Sequence, residues 1–402
     1  MNVEGLPRCL VLHSPAAAGR RRRDFGEYSR VARQRWACRA DLSAIVPGAR
    51  DDGGRLCEGG TVPFDSDKMR EYLVKTNSAV EAVIQGLEAT SPFPIERVGP
   101  HTGVIYRGNT ARKVKVLTGG GSGHEPLFLG AVGPGMADGA IAGEIFAAPN
   151  PDSILAVTEA LQPSEGVIYL YGNYSGDVLN FGFAAEEARG KGIKVEEIRV
   201  HDDVASASSD EATERRGIAG DIFVLKCAAA AADRGDSFSD VVALGQKTST
   251  WTRSLGVALG AAASIDTGQP MFELPGGQIE IGMGLHGEMG VQRSTFEPVE
   301  TLVPRMLELI LTDFQHTGLS LDRVAVMVNG LGSTTVLELL AVAGHAKVSL
   351  AKNGIRCGLF RTGQFATSLD MAGFSITLTK LDDELEKLLY ADASSFAYST
   401  AG

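Results

Sequence analysis

The sequence predicts an α/β fold: two α/β domains, each a mostly parallel or mixed sheet with helices. Three observations predict it. Short β-branched runs alternate with stretches of helical periodicity, glycine clusters follow several of those runs, and the units fall into two groups about residue 250. Alternating strands and helices build α/β layers. In such sheets ligands bind beyond the carboxyl ends of the strands, where the glycine turns fall. A first domain is expected over 66–250 and a second over 251–395.

The elements follow in order. Ordered structure is expected from near Met69. Asn77 is placed to cap a helix in which Val80, Val83, Ile84 and Leu87 recur at helical spacing. Residues 113–117 (KVKVL) form a strand running into glycines, and 166–170 (GVIYL) form another, followed by a glycine-containing turn and a helix from near Asn180. A strand over 194–200 ends at His201, Asp202 and Asp203. Another over 324–328 (VAVMV) leads through Asn329, Gly330, Leu331 and Gly332 to a helix that includes Val336 and Leu340.

Composition bounds the function. A chain of 402 residues with 44% hydrophobic and 22% charged residues is ordinary for a soluble globular protein. The net charge of -11 argues against an electrostatic nucleic-acid binder. No apolar run is long enough to span a bilayer, and no secretory signal pattern opens the chain. Five cysteines without paired spacing predict neither a disulfide framework nor a zinc site. A cytoplasmic protein with no metal site of its own is expected. The forty-nine glycines, about 12% against roughly 7% in average usage, are clustered, which marks tight turns or close approach of backbone to a ligand.

Residues 1–65 differ from the rest. They hold Cys9, Cys38, Cys57, Trp36 and an arginine run from Arg20 to Arg23, without sustained periodicity. They are expected to be a disordered extension or a stretch from a start codon chosen too early, in preference to a basic targeting arm.

Three segments carry candidate chemistry. The first is 118–126 (TGGGSGHEP), following a strand, with Pro126 suited to a first helical position. Its exposed backbone N–H groups suit an anionic or hydroxyl oxygen, while glycine also serves plain tight turns. It is no dinucleotide fingerprint, because His124 stands where the third glycine is required. The second, 172–181, places Asp177 at a strand-to-helix turn. There it can accept a proton or cap the helix, and spacing alone favours the cap. The third, 275–288, sets His286 in a glycine-flanked extended segment, with a structural role equally open; Glu280 and Glu288 are either solvated or orienting. His201, Asp202 and Asp203 fit a strand end lining a cleft better than a metal site, since adjacent strand residues face opposite ways. Glu214, Arg215 and Arg216 grip a phosphate or form a solvated charged turn. Cys227, beside an alanine-rich stretch, fits a small core position.

Seven blocks then bear on one family. They are GGGSGHEP at 119–126, GEIFAAPNPD at 143–152, NYSGDVLNF at 173–181, ERRGIAG at 214–220, GMGLHGE at 282–288, VNGLGSTTVLEL at 328–339 and TSLDMAGFSITL at 367–378. In this order, over more than 300 residues, they resemble the K subunit of dihydroxyacetone kinases, which also forms the first half of single-chain ATP-dependent kinases.

The resemblance implies that His286 forms a covalent hemiaminal with the substrate carbonyl. It implies that His124 hydrogen-bonds the ketone and assists proton transfer, that Asp177 meets the substrate hydroxyl, and that Gly121, Ser122 and Gly123 contact substrate through the backbone. For Asp177 it outweighs the cap, and for His286 it breaks the tie. It implies a homodimer that binds dihydroxyacetone or a similar short ketose and carries no cofactor itself. ATP and magnesium belong to a nucleotide-carrying L subunit, charged by ATP or by a phosphotransferase-system phosphocarrier. Two alternatives remain: a kinase subunit for a four-carbon ketose such as erythrulose, and a non-catalytic ketone-sensing coactivator. Three departures bear on these. Gly172 stands where the family often has lysine, segment 314–324 is shorter, and the arginine-rich extension is unmatched.

Overall fold

Two six-stranded sheets, both mixed, carry the chain. The computed structural model describes residues 70–108, 112 and 114–400, so the expectation for 1–65 lies outside the described residues. Residues 68–402 form one compact unit.

The first sheet is built from β1 (Ile95–Val98), β2 (Gly103–Tyr106), β3 (Val114–Ser122), β4 (Gly139–Ile145), β5 (Gly166–Gly172) and β6 (Val195–Val200), in the order β1-β2-β4-β3-β5-β6. The pairs β3/β4, β3/β5 and β5/β6 are parallel. Helix α1 (Thr76–Thr90) precedes it and buries Val80, Ile84 and Leu87, the expected stripe. Its N-cap is Lys75, with no side-chain cap bond, so Asn77 lies inside the first turn and does not cap. Between the strands run α2 (Pro151–Ala160) and α3 (Ser175–Gly190), while α4 (Asp221–Arg234) and α5 (Phe238–Thr250) follow β6.

The second sheet is built from β7 (Thr252–Gly260), β8 (Gln278–Ile281), β9 (Gln292–Thr295), β10 (Arg323–Gly330), β11 (Arg356–Gly363) and β12 (Ala372–Lys380), ordered β11-β10-β12-β7-β8-β9. Only β10/β11 is parallel; the other four pairings are antiparallel. Helices α6 (Val299–His316) and α7 (Val336–Lys352) cover it, and α8 (Asp383–Tyr390) closes the fold.

Helix α4 joins the two sheets. Every residue from Asp221 to Ala232 is buried, and its apolar side chains share one core with Val116, Ile168 and Leu170 of the first sheet and Ala325 and Met327 of the second. The helix is mostly apolar, as a buried helix must be; its one buried lysine, Lys226, donates to Leu388 O at 2.8 Å, and Cys227 is one of its core residues.

Two expectations change at the first glycine segment. Strand β3 continues through Gly119, Gly120 and Gly121 to Ser122, so the glycines are sheet, not loop. The reason is close packing. A Cβ at Gly119 would lie 2.5 Å from the Ile141 side chain, one at Gly120 2.4 Å from the Phe128 ring, and one at Gly121 2.7 Å from the Ala147 nitrogen. The turn comes at Gly123, whose φ of +100 needs glycine. No α-helix begins at Pro126; a short 3-10 turn, Phe128–Ala131, follows. Phe128 has φ 62, which a right-handed helix excludes.

Candidate functional site

The site gathers where the carboxyl ends of the first sheet meet loops of the second. His124 lies two residues beyond β3. Its Nδ1 donates to the Thr367 carbonyl oxygen at 2.8 Å, since a carbonyl only accepts. Thr367 sits between β11 and β12, and its hydroxyl donates to Glu125 O at 2.8 Å, while Leu369 N donates to Gly123 O at 2.8 Å. The second half of the chain thus clamps the His124 turn.

His286 follows β8, in a turn and not in the extended segment expected. Its Nε2 lies 3.0 Å from His124 Nε2, with the two rings edge to face at 4.7 Å. A hydrogen bond between two ring nitrogens needs a proton on one of them; neutral His124 gives its N–H to Thr367, so its Nε2 accepts from His286 Nε2–H. Phe146 stacks on His124 at 4.9 Å, and Tyr174 meets the His286 ring at 4.6 Å. These aromatic walls leave His286 half-buried and His124 fully buried.

The two histidines are held differently. His124 has its pKa pushed down to about 3, first by burial and then by the charge of His286, so it stays neutral. Glu288 turns back onto His286, accepting from its backbone N–H at 2.9 Å and its Nδ1 at 3.1 Å. Burial alone would raise Glu288. The bond from His286 and the charges of His286 and Arg216 outweigh it and hold the carboxyl at about 2. Arg216 Nη1 stands 3.7 Å from Glu288, and Arg216 Nη2 donates to Asp203 at 2.7 Å. Burial lifts Asp203 to about 6 against the pull of Arg216. A chain of charges therefore runs from Asp203 through Arg216 and Glu288 to the back of His286.

Asp177 comes from the next strand end. Helix α3 begins at Ser175, five residues before the expected start, because Tyr174 already has the extended backbone of an N-cap. Asp177 is thus in the first turn and is not the N-cap. It is buried, and its Oδ1 has no hydrogen-bond partner. Burial raises it to about 7, with His286 pulling the other way. An unpartnered carboxylate titrating near neutrality suits a general base.

The structure brings together His124, His286 and Asp177, which the sequence spreads over 163 positions counted from 124 to 286. The remaining predicted residues take structural partners. Ser122 Oγ donates to Gly143 O at 2.7 Å, Gly123 N donates to Glu125 Oε2 at 2.9 Å, and Gly121 lies flush against the backbone of Phe146 and Ala147. In the charged turn at 214–216 Glu214 is exposed, but the two arginines are not solvated. Arg215 is buried and bonded to Asp313 at 2.6 and 2.9 Å, because a buried guanidinium must be paired, and Arg216 belongs to the His286 chain. Glu280 pairs with Arg293, leaving Glu288 as the orienting acid. Asp202 accepts from Ile218 N and Gly220 N at 2.8 and 2.9 Å, anchoring the approach to α4.

Sequence reasoning missed Phe146, Tyr174 and Thr367 as site residues, and it missed the link from Arg216 to Glu288. Phe146, Tyr174 and Thr367 lie inside the quoted sequence blocks but carry no spacing signal. Arg216 and Glu288 are joined only by the fold.

Comparison with known proteins identifies the family. Residues 85–397 match the family model described as the Dak1 domain. The chain is 41% identical over 323 residues to the PTS-dependent dihydroxyacetone kinase 2, dihydroxyacetone-binding subunit DhaK, of Listeria innocua, covering 80% of this chain and 96% of that one. It is 41% identical over 298 residues to the D-erythrulose kinase of Mycolicibacterium smegmatis, covering 74% of this chain and 51% of that one. The crystal structure of the dihydroxyacetone kinase of C. freundii superposes with a TM-score of 0.74 at 32% identity, covering 83% of this chain and 61% of that one.

Proposed function

The chain belongs to the Dak1 domain family, and from that premise we propose that it is a dihydroxyacetone-binding kinase subunit that captures its ketone covalently on His286. The observation that carries the reading is the meeting of His286 Nε2 with His124 Nε2 at 3.0 Å beside an unpartnered, buried Asp177.

The steps balance as follows. His286 Nε2 passes the proton it shares with His124 to that neutral imidazole, and its freed lone pair adds to the carbonyl carbon. The C=O electron pair moves to oxygen, which takes the proton from His124. One N–C bond forms, one C=O π bond is lost, and the Nδ1–H remains held by Glu288. Glycerol, having no carbonyl, cannot be captured, so the bond selects as well as orients. Asp177 then receives the proton of a terminal hydroxyl as that oxygen attacks a phosphoryl group. Phosphoryl transfer asks mainly for placement of the acceptor.

The phosphoryl donor in this reading is a separate L subunit carrying ATP and magnesium, or one charged by a phosphotransferase-system phosphocarrier. Exposed apolar side chains near the site, Leu179 and Phe183 on α3 and Met289 beside Glu288, support docking of a protein partner there. The working form is a homodimer. Among the described residues no helix is long and apolar enough to cross a membrane.

One observation favours a second reading, a four-carbon ketose such as erythrulose. A Cβ at Gly172 would stand 3.4 Å from Asp221 Oδ2, and Asp221 Oδ1 is buried without a partner. That Cβ would also stand 3.2 Å from the Tyr174 ring, and the buried, unpartnered Asp221 oxygen offers a further hydrogen-bonding group at the end of β5 for the hydroxyl of a longer ketose. Burial, then the charges of Asp202 and Asp177, raise Asp221 well above the usual carboxylate range. Comparing kcat/KM for dihydroxyacetone and erythrulose with an L subunit separates the two readings. Turnover of neither ketose with any donor subunit would contradict both.

A further inference from the structure

The loop that holds His124 is itself held in an unfavourable backbone shape. Between β11 and β12, Thr367 O accepts from His124 Nδ1 at 2.8 Å and Leu369 N donates to Gly123 O at 2.8 Å. Leu369 does so with φ 51, in the left-handed region that a bulky side chain rarely occupies. Such a conformation is costly and persists only where the surroundings enforce it.

The next residue, Asp370, shows what enforces it. Its Oδ1 accepts from Ala263 N at 2.8 Å and from the Tyr72 hydroxyl at 2.7 Å, and its Oδ2 pairs with Arg70 Nε at 3.2 Å. Its carbonyl oxygen accepts from the Ser333 hydroxyl. The Arg70 guanidinium lies 4.7 Å over the Tyr72 ring, and Arg70 N donates to Gly268 O at 3.2 Å. Arg70 and Tyr72 precede α1, so a strap from the start of the described chain crosses to the loops after β7 and before β12 and grips one carboxylate. Hydrogen bonds to an ionised carboxylate are the strong kind, and with its side chain 16% exposed Asp370 is shielded from competing water. The grip reaches the site along the backbone, from Asp370 to Leu369 on Gly123 and to Thr367 on His124.

We propose that Tyr72 and Asp370 are positioning residues for His124: the strap, by gripping Asp370, keeps the 367–371 loop in the shape that presents Thr367 O to His124 Nδ1. That carbonyl fixes the tautomer, with the proton on Nδ1 and Nε2 left to accept from His286. The inference rests on the reading of His124 as the proton carrier of ketone capture. A loosened loop lets the ring change tautomer, which slows a proton transfer in both directions without altering its end states.

The test is NMR on the full chain with isotope-labelled histidine, the His124 signals being those absent from His124→Ala, together with exchange NMR on dihydroxyacetone labelled at its carbonyl carbon. In the ligand-free wild type His124 is expected as a single tautomer protonated on Nδ1. Asp370→Ala, with folding checked by circular dichroism, is expected to mix the tautomers. It should slow ketone capture and release together by about tenfold, with affinity unchanged within about threefold. Asp370→Asn keeps an acceptor for Ala263 N and Tyr72 and is expected to restore most of both. Tyr72→Phe is expected to act in the same direction, more weakly, and to add nothing to Asp370→Ala. A single His124 tautomer in Asp370→Ala overturns the proposal, as does a Tyr72→Phe effect that adds in full to it. Should Asp370→Ala not fold, Tyr72→Phe decides, and an unchanged tautomer and capture rate there overturn the proposal. A wild type that captures no ketone overturns the functional reading, while the tautomer in the ligand-free variants still decides the strap.

Discussion

The two sides of the site hold their groups by opposite means. On the side built from the first sheet, His124 and Asp177 are governed by burial, which drives the imidazole to about 3 and the carboxyl to about 7. On the side reached after β8, His286 is governed by charge, through Glu288, Arg216 and Asp203. Burial disfavours the charged form of each group, which suits both to the proton transfers of the proposed reaction. Charge fixes the His286 ring, with Nδ1 tied to Glu288 and Nε2 aimed at His124, as the proposed nucleophile requires. The contrast assigns the roles more sharply than residue type does, since both sides contribute a histidine.

The largest expected effect breaks the charged side at its end. His286→Ala should weaken dihydroxyacetone binding by at least about 100-fold in calorimetry, because the covalent bond is the main hold on a three-carbon ligand. Glycerol should bind to neither form.

The next effect tests the buried side. Asp177→Asn should lower turnover by about 10²- to 10⁴-fold in a steady-state assay, the range for a general acid–base group. Wild-type kcat/KM should fall about tenfold per pH unit below about 7, as the carboxylate is protonated, and the variant should lack that limb. The same substitution has a stability signature. Asp177 is raised in the folded state from 3.8 to about 7, so the unfolded chain ionises first and folding loses free energy as pH rises between those values. Asn avoids that loss. The variant should therefore melt higher than wild type at pH 8, by something on the order of 2 kcal/mol, and the gap should close near pH 4. His124 has the opposite sign. Its folded pKa is depressed from 6.5 to about 3, so its contribution is present above 6.5 and is lost as pH falls through that window.

A smaller effect probes how far the charged chain reaches. Arg216→Met should lower kcat/KM about tenfold, the equivalent of about 1.4 kcal/mol of orientation. Glu288→Gln should cost more, because it loosens Nδ1 directly. The two effects should be less than additive, since Arg216 acts through Glu288. Full additivity in the double variant would mean that Arg216 acts on substrate or donor by another route.

Much of this was legible in the sequence. Strands that are buried on both faces announce themselves as apolar runs, which is why 166–170 and 324–328 fall inside β5 and β10. The glycines of β3 were harder. Clustered glycine signals either a turn or a close approach, and only the partner side chains of Ile141 and Phe128 decide between them. Asp177 was ambiguous for a related reason: a first-turn aspartate fits a cap as well as a base, and what separates them is an unpartnered Oδ1, which no spacing records. Arg215 and Arg216 look alike in sequence, yet one is buried on Asp313 and the other backs the site, because the fold brings α6 to the first and the β8–β9 turn to the second.

The central claim is that His286 takes the ketone covalently, and NMR on dihydroxyacetone labelled at its carbonyl carbon tests it most directly. The account predicts a protein-bound signal in the tetrahedral-carbon region for wild type and none for His286→Ala. A bound ketone whose labelled carbon stays in the carbonyl region of the spectrum would contradict it.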